Sequence, residues 1–292
     1  MAALVGGLLY GDQAIRFLTH LKGSPTSTVA YEAFPPGGEP TYRLAVLGDV
    51  GEAGSRLIAT AETVAALAAA DPYDALLLLG DNVYPAGDPA RLDELVFEPL
   101  APVLESGTQL LAIVGNHDVA EGHGDAQMQA LGMPGRWWAE TWGEDLLVVG
   151  LDSSDVDDPA QRAFLERTLA ESTATWKIVA LHHPPYSAGY QGSSTEVREA
   201  FSPLFERYGV QLVLSGHEHD YQRSVPIDGV VYVVTGGVAR TRRTGEDDFT
   251  AVSFSWHHFV DLSVFEDHLL LRAVNQEQRV ADEATIALSA AG

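Results

Sequence analysis

Residues 75–84 read Ala-Leu-Leu-Leu-Leu-Gly-Asp-Asn-Val-Tyr. The apolar run is a short strand, and Gly80-Asp81-Asn82-Val83-Tyr84 is a polar cluster at its end. Working outward, further runs of the same kind lie at Leu44–Leu47, Leu110–Val114, Leu146–Leu151, Lys177–Leu181 and Gln211–Leu214. Helical patterns separate them. Leu57, Ile58, Ala61, Val64, Ala65 and Ala68 form a stripe that Asp71-Pro72 stops, and helices are predicted at Pro89–Leu104, Pro159–Ala170 and Thr195–Tyr208. Strands alternating with helices predict a layered α/β fold.

After Gly216 the chain becomes strand-rich, through Val230–Val234, then Val260, Leu262 and Val264, then Leu269–Val274. Before Tyr42 the pattern differs. A short helix carrying Ile15, Leu18 and Leu21 is expected, followed by a Pro/Gly-rich connector from Phe34 to Pro40. Residues 1–40 read as an N-terminal appendage packed on one catalytic domain, 41–292.

Composition excludes several function classes. Hydrophobic residues make 46% and charged residues 20% of the 292, as in a soluble globular protein. The 41 acidic against 17 basic side chains give a net charge of -24, which repels a nucleic-acid backbone. With no cysteine, any metal must be held by nitrogen and oxygen. The apolar stretch Ala2–Leu9 lacks a basic flank and falls short of the roughly 20 residues of a membrane span. The compartment stays open between secretion, with a leader already removed, and the cytoplasm.

Five strands end in chemistry: Gly48-Asp49-Val50-Gly51, the Asp81–Tyr84 cluster, Gly115-Asn116-His117-Asp118, His182-His183-Pro184-Pro185 and Gly216-His217-Glu218-His219. Ligands of open α/β sheets bind at the carboxyl ends of strands, so the clusters are expected to converge on one crevice. A glycine precedes four of them, as close approach of backbone to a metal or phosphate requires. Any one cluster is an ordinary turn; together their carboxylates, amide, phenol and imidazoles suit a pair of hard or borderline metals.

In this order of motifs the chain resembles the calcineurin-like metallophosphoesterases, and within them the purple acid phosphatases, from about Tyr42 to Gly237. The resemblance implies a four-layer α/β/β/α sandwich of two mixed sheets flanked by helices. It implies a first metal at Asp49, Asp81, Tyr84 and His219 and a second at Asp81, Asn116, His182 and His217, with Asp81 bridging. His117 is then the general acid, Asp118 its orienting partner, and a metal-bridged hydroxide the attacking group on a phosphate monoester. Most relatives carry a neutral His where this chain has Gly51, and lack the phenol of Tyr84. A phenolate suits Fe(III) at the first site beside a divalent Fe, Zn or Mn, leaving the centre at roughly +1 toward an anionic substrate.

His183 reads as either a substrate contact or a support for its neighbour, and Arg240, with Arg242 and Arg243, as positive charge for a substrate phosphate or a solvated run. His257, His258 and His268 read as packing or surface residues, and Ala120–Gly135 as a loop at the rim. The expected partner is a small phosphorylated molecule. A phosphodiesterase or nucleotide-pyrophosphate hydrolase on the same centre is the alternative, and a non-catalytic scaffold a more distant one.

Overall fold

The computed structural model describes residues 28–32 and 38–288. The helix expected around Ile15, Leu18 and Leu21 lies outside them. The strands are β1 (Val29–Ala30), β2 (Tyr42–Leu47), β3 (Ala75–Leu79), β4 (Gln109–Ile113), β5 (Trp138–Trp142), β6 (Leu146–Gly150) and β7 (Trp176–Leu181). They continue with β8 (Leu212–Ser215), β9 (Tyr221–Ser224), β10 (Val231–Thr235), β11 (Thr250–Phe254), β12 (His258–Val264), β13 (His268–Asn275) and β14 (Arg279–Ala287). They form two mixed sheets, β1-β14-β13-β12-β2-β3-β4 and β11-β9-β10-β8-β7-β6-β5.

Each central strand is apolar on both faces because each sheet is covered twice. Leu77 and Leu79 of β3 meet Ile178 and Leu214 of the opposite sheet in the core between the sheets. Leu76 and Leu78, one residue out of phase, pack outward against Leu57 and Val64 of α1 (Ser55–Ala70). On the far side Leu165 of α5 (Pro159–Glu171) and Phe201 of α6 (Thr195–Arg207) cover Val179 and Val213. The layers run helix, sheet, sheet, helix. The two sheets are also tied at their edge, where Trp138 Nε1 donates to the Ala112 carbonyl at 2.8 Å.

The helix expected over Pro89–Leu104 is present and continuous, but it is not regular α-helix throughout. A single 3-10 turn at Pro89–Arg91 leads into a widened turn at Asp93–Phe97 and then α2 (Glu98–Leu104). Pro99 offers no N–H and its ring crowds the carbonyl four residues back, so the ladder loosens one turn earlier. The rim stretch, which follows the short α3 (Asn116–Val119), also departs from expectation: it holds a 3-10 turn (Ala120–Gly122) and α4 (Gly124–Ala130). Buried Gln127 pins α4 by donating to the Gly87 carbonyl at 3.2 Å.

β1, within the stretch read as an appendage, pairs antiparallel with β14 through Val29 and Val280. Beside it Tyr31 donates to Asp261 Oδ2 at 2.9 Å, and Asp261 also accepts from Arg43 Nε at 3.0 Å and Arg272 Nη2 at 2.6 Å. Both arginines are 2% exposed and Asp261 is fully buried. Asp261→Ala would leave two buried guanidiniums facing one another without their shared anion. The expected loss is about 3–5 kcal/mol in the urea-unfolding free energy. A loss below roughly 1 kcal/mol would mean that Asp71, whose Oδ2 lies 3.4 Å from Arg43 Nη1, compensates for the missing anion.

Candidate metal centre

Strand register brings the clusters together. Leu47 pairs with Leu78 and Leu79 with Ile113, so the carboxyl ends of β2, β3 and β4 stand side by side. Leu181 pairs with Ser215 in the other sheet, placing the His182 and His217 turns next to each other. The sheets then meet at these ends: the His217 backbone N–H donates to Asp49 Oδ2 at 2.9 Å.

Asp49, Asp81 and His217 hold left-handed backbone, with φ of 59°, 52° and 70°. Such a conformation costs roughly 1–2 kcal/mol for a residue with a side chain. It aims the side chain back over the strand end. Room is made by glycine: a Cβ on Gly216 would lie 2.7 Å from Asp49 Oδ2, and one on Gly115 would fall onto Asp81 Oδ1.

Two triangles of donors result. The Tyr84 hydroxyl is 2.9 Å from Asp49 Oδ1 and 3.0 Å from His219 Nε2, which is itself 3.3 Å from Asp49 Oδ1. His217 Nδ1 is 3.1 Å from Asn116 Oδ1 and 3.3 Å from His182 Nε2. Asp81 joins them, with Oδ1 3.4 Å from His182 Nε2 on one side and Tyr84 beside its carboxylate on the other. Ligands about 2.1 Å from one cation and at right angles stand about 3 Å apart, so each triangle has the dimensions of a shared coordination sphere.

The donors' chemistry fits as well. His182 Nδ1 lies 2.8 Å from the Leu79 carbonyl, a pure acceptor, so Nδ1 carries a proton and Nε2, which Asp81 otherwise keeps protonated, is the nitrogen that would offer its lone pair to a cation. Burial opposes ionisation of Asp81, but the positive charge available on His182 and His117 overcomes it and holds the carboxyl below the usual range. Burial, then the charges of Asp49 and Asp81, push the Tyr84 phenol far up, so an ionised Tyr84 requires a cation against its oxygen. The residues present therefore fit a pair of metal ions.

His117 stands at the rim, its side chain 39% exposed and its Nε2 4.0 Å from Asp81 Oδ2. Its Nδ1 lies 2.6 Å from the Pro85 carbonyl, which fixes the ring with Nε2 toward the centre. The orienting part expected of Asp118 is thus taken by Pro85. Fully buried Asp118 instead accepts from the backbone N–H groups of Gly115, Asn82 and Val83 at 2.8, 2.9 and 3.1 Å. It knots two ligand turns together. Burial and then the charge of Asp81 push its carboxyl up to about 6.

Arg240 Nη2 is bound to Glu52 at 2.6 Å, with its side chain 52% exposed. His183 is half-buried and hydrogen-bonded to Ser153. His258 is buried against Thr235 and Tyr221 as a packing residue. His123, in the rim stretch, lies 2.8 Å from the Ala86 carbonyl through Nδ1.

Two residues inside the quoted motifs have parts that the sequence reading did not assign. Asn82 Nδ2 donates to the Ile113 carbonyl and to Asp118 Oδ2, each at 3.0 Å. Buried Glu218 accepts from the backbone of Gln191 and, at 2.7 Å, of Gly192, holding the segment after His183 against the His217 turn. An acid between two ligand histidines was the available signal.

An 82-residue stretch is 34% identical to purple acid phosphatase 17 of Arabidopsis thaliana and covers 28% of this chain and 24% of that protein. The chain spans about a quarter of the length of the curated relatives it first matches. The structure of purple acid phosphatase PPD1 from yellow lupin (Lupinus luteus) seeds superposes with a TM-score of 0.74 at 20% identity, over 87% of this chain and 55% of that one. GAP50, the anchor in the inner membrane complex of Plasmodium, superposes with a TM-score of 0.75 at 18% identity, over 86% of this chain and 90% of that one. These two likenesses concern the fold. The calcineurin-like phosphoesterase model matches residues 42–221, from β2 through the start of β9, and with every donor of both triangles inside that span the chain belongs to that family.

Proposed function

We propose that the chain is a dinuclear-metal phosphohydrolase acting on phosphate monoesters, in the manner of purple acid phosphatases. The observation that carries this reading is the pair of donor triangles joined by Asp81, with a rim imidazole facing them. A scaffold that uses the same fold has no physical reason to gather buried donors on left-handed backbone.

In this reading Asp49, Asp81, Tyr84 and His219 hold one ion, and Asp81, Asn116, His182 and His217 the other. Two bound cations supply Lewis-acid stabilisation of the phosphoryl oxygens and lower the pKa of the attacking water. His117 Nε2 gives its proton to the departing oxygen, while Nδ1–H stays on the Pro85 carbonyl. Asp118 keeps the two turns at a fixed separation through its three backbone contacts. In this reading the attacking group is water, so no serine is needed as a covalent nucleophile.

Metal analysis with paired assays on a chromogenic phosphomonoester and the matching diester tests the function. Bound metal with faster monoester turnover supports it; faster diester turnover assigns the centre to diesters, and metal-free, inactive protein assigns a scaffold.

The first ion is Fe(III), because an ionised Tyr84 is best matched by a trivalent cation. Phenolate-to-ferric charge transfer colours the protein, and Tyr84→Phe is expected to bleach the visible band and lower iron content. An unchanged band in that variant, with iron at full occupancy, removes Tyr84 from the ligand set.

A further inference from the structure

Ser153 lies in the turn after β6, 5% exposed, and has no part in the reaction as described. Its Oγ accepts from the His183 backbone N–H at 2.9 Å and lies 2.9 Å from His183 Nδ1. A hydroxyl has one hydrogen to donate. If Nδ1 carried a proton, two N–H groups would donate to Oγ, and the hydroxyl hydrogen would be buried without an acceptor among the described residues. The hydroxyl therefore donates to Nδ1, and the neutral ring carries its proton on Nε2.

That is the opposite tautomer from His182, whose Nδ1–H is fixed by a carbonyl. The distinction matters because ring nitrogens of His182, His183 and His217 lie within 4.8 Å of one another, close enough for a three-histidine metal site. A nitrogen bearing hydrogen has no lone pair for a cation. Two of the three are thus ligands and the third is a hydrogen donor beside them, its ring centroid 4.4 Å from that of His217. The turn beneath is fixed from outside the crevice. Asp152 N–H donates to Gln161 Oε1 at 2.7 Å, and the Asp152 carboxylate accepts from Arg136 Nη1 and the Ser154 N–H at 2.9 and 2.8 Å.

We propose that Ser153 is a positioning residue that sets His183 as an Nε2–H donor to a non-bridging oxygen of a phosphoryl group bound on the His182 and His217 side. This rests on the phosphohydrolase reading and names a substrate contact within it. A tetrahedral oxyanion seated across the two triangles would present several acceptor oxygens to such a donor.

The test uses the full chain loaded with zinc, which is diamagnetic, and inorganic phosphate as the probe. Nitrogen-15 spectra of the histidine rings are expected to give His183 an acceptor-type Nδ1 and a protonated Nε2, and Ser153→Ala to mix the tautomers. By calorimetry, His183→Phe is expected to weaken phosphate about tenfold with zinc stoichiometry unchanged. His183→Gln, whose amide N–H stands near the position of Nε2, should stay within about threefold of wild type. An Nδ1-protonated His183, or loss of a zinc ion in His183→Phe, overturns the donor assignment. If wild type loads zinc and hydrolyses a monoester while His183→Phe binds phosphate equally well, the inference fails and the phosphatase reading stands. If wild type binds neither zinc nor phosphate, both fail.

Discussion

Asp81→Asn is expected to leave the purified chain short of both metal ions together and to take turnover down to background. Asp81 is 2% exposed, sits on left-handed backbone, and faces Tyr84 and His182 with one carboxylate. An amide keeps the shape but replaces one oxygen with an N–H donor, which repels a cation, and removes the negative charge that both ions share. Substitutions of residues that merely support a ligand cost roughly 10- to 100-fold in affinity or activity, and loss of a shared ligand should exceed that range. Elemental analysis of freshly purified protein gives the readout. If the variant lost only one ion, the bridging part would pass to another carboxylate. Asn116→Ala makes the useful contrast, since its Oδ1 belongs to the His217 triangle alone and its loss should empty chiefly the second position.

His117→Ala is the second large effect, with an expected loss of about 10² to 10⁴ in turnover and no change in metal content. His117 donates its backbone N–H to Asp81 Oδ1 at 3.0 Å, and that contact survives the substitution, so the ligand geometry should too. What disappears is the Nε2 proton and the T-shaped packing on Tyr84 at 4.6 Å between centroids. The deficit should shrink for esters of acidic alcohols, whose departing oxygen needs no proton. Equal losses across leaving groups of widely different pKa would assign His117 a positioning part instead. Asp118→Asn separates the two neighbours. It is expected to disturb the turns that Gly115, Asn82 and Val83 define, and so to lower thermal stability along with activity, because the buried carboxylate accepts from all three.

A layered α/β fold with its polar clusters gathered in one crevice could be read from local pattern, while the four-layer order and the assignment of ligands to two metals were implied by the family resemblance. An apolar run such as Ala75–Leu79 declares a covered strand within five residues, and the glycine with the polar residues after it declares the turn. Where strand ends in an α/β sheet collect on one edge, the contents of the crevice follow from the turns themselves. Local pattern leaves the turn type open. Pro89–Leu104 has helical periodicity, and only the fold around Pro99 shows how the chain spreads its turns to accommodate a missing N–H.

The sequence by itself thus determined which residues stand at the strand ends, since alternation of apolar runs, glycines and polar clusters needs no distant partner. The tertiary structure decided what each of them faces. His117 is oriented by a carbonyl 32 residues away and not by its neighbour Asp118, and Arg43 and Arg272 are buried around Asp261, 218 and 11 residues distant. Three histidines identical in composition differ because His182 and His117 meet carbonyls through Nδ1 while His183 meets a hydroxyl. A hydrogen bond depends on the few ångströms between two atoms, and those are set when the sheets pack, after every local preference has already been expressed.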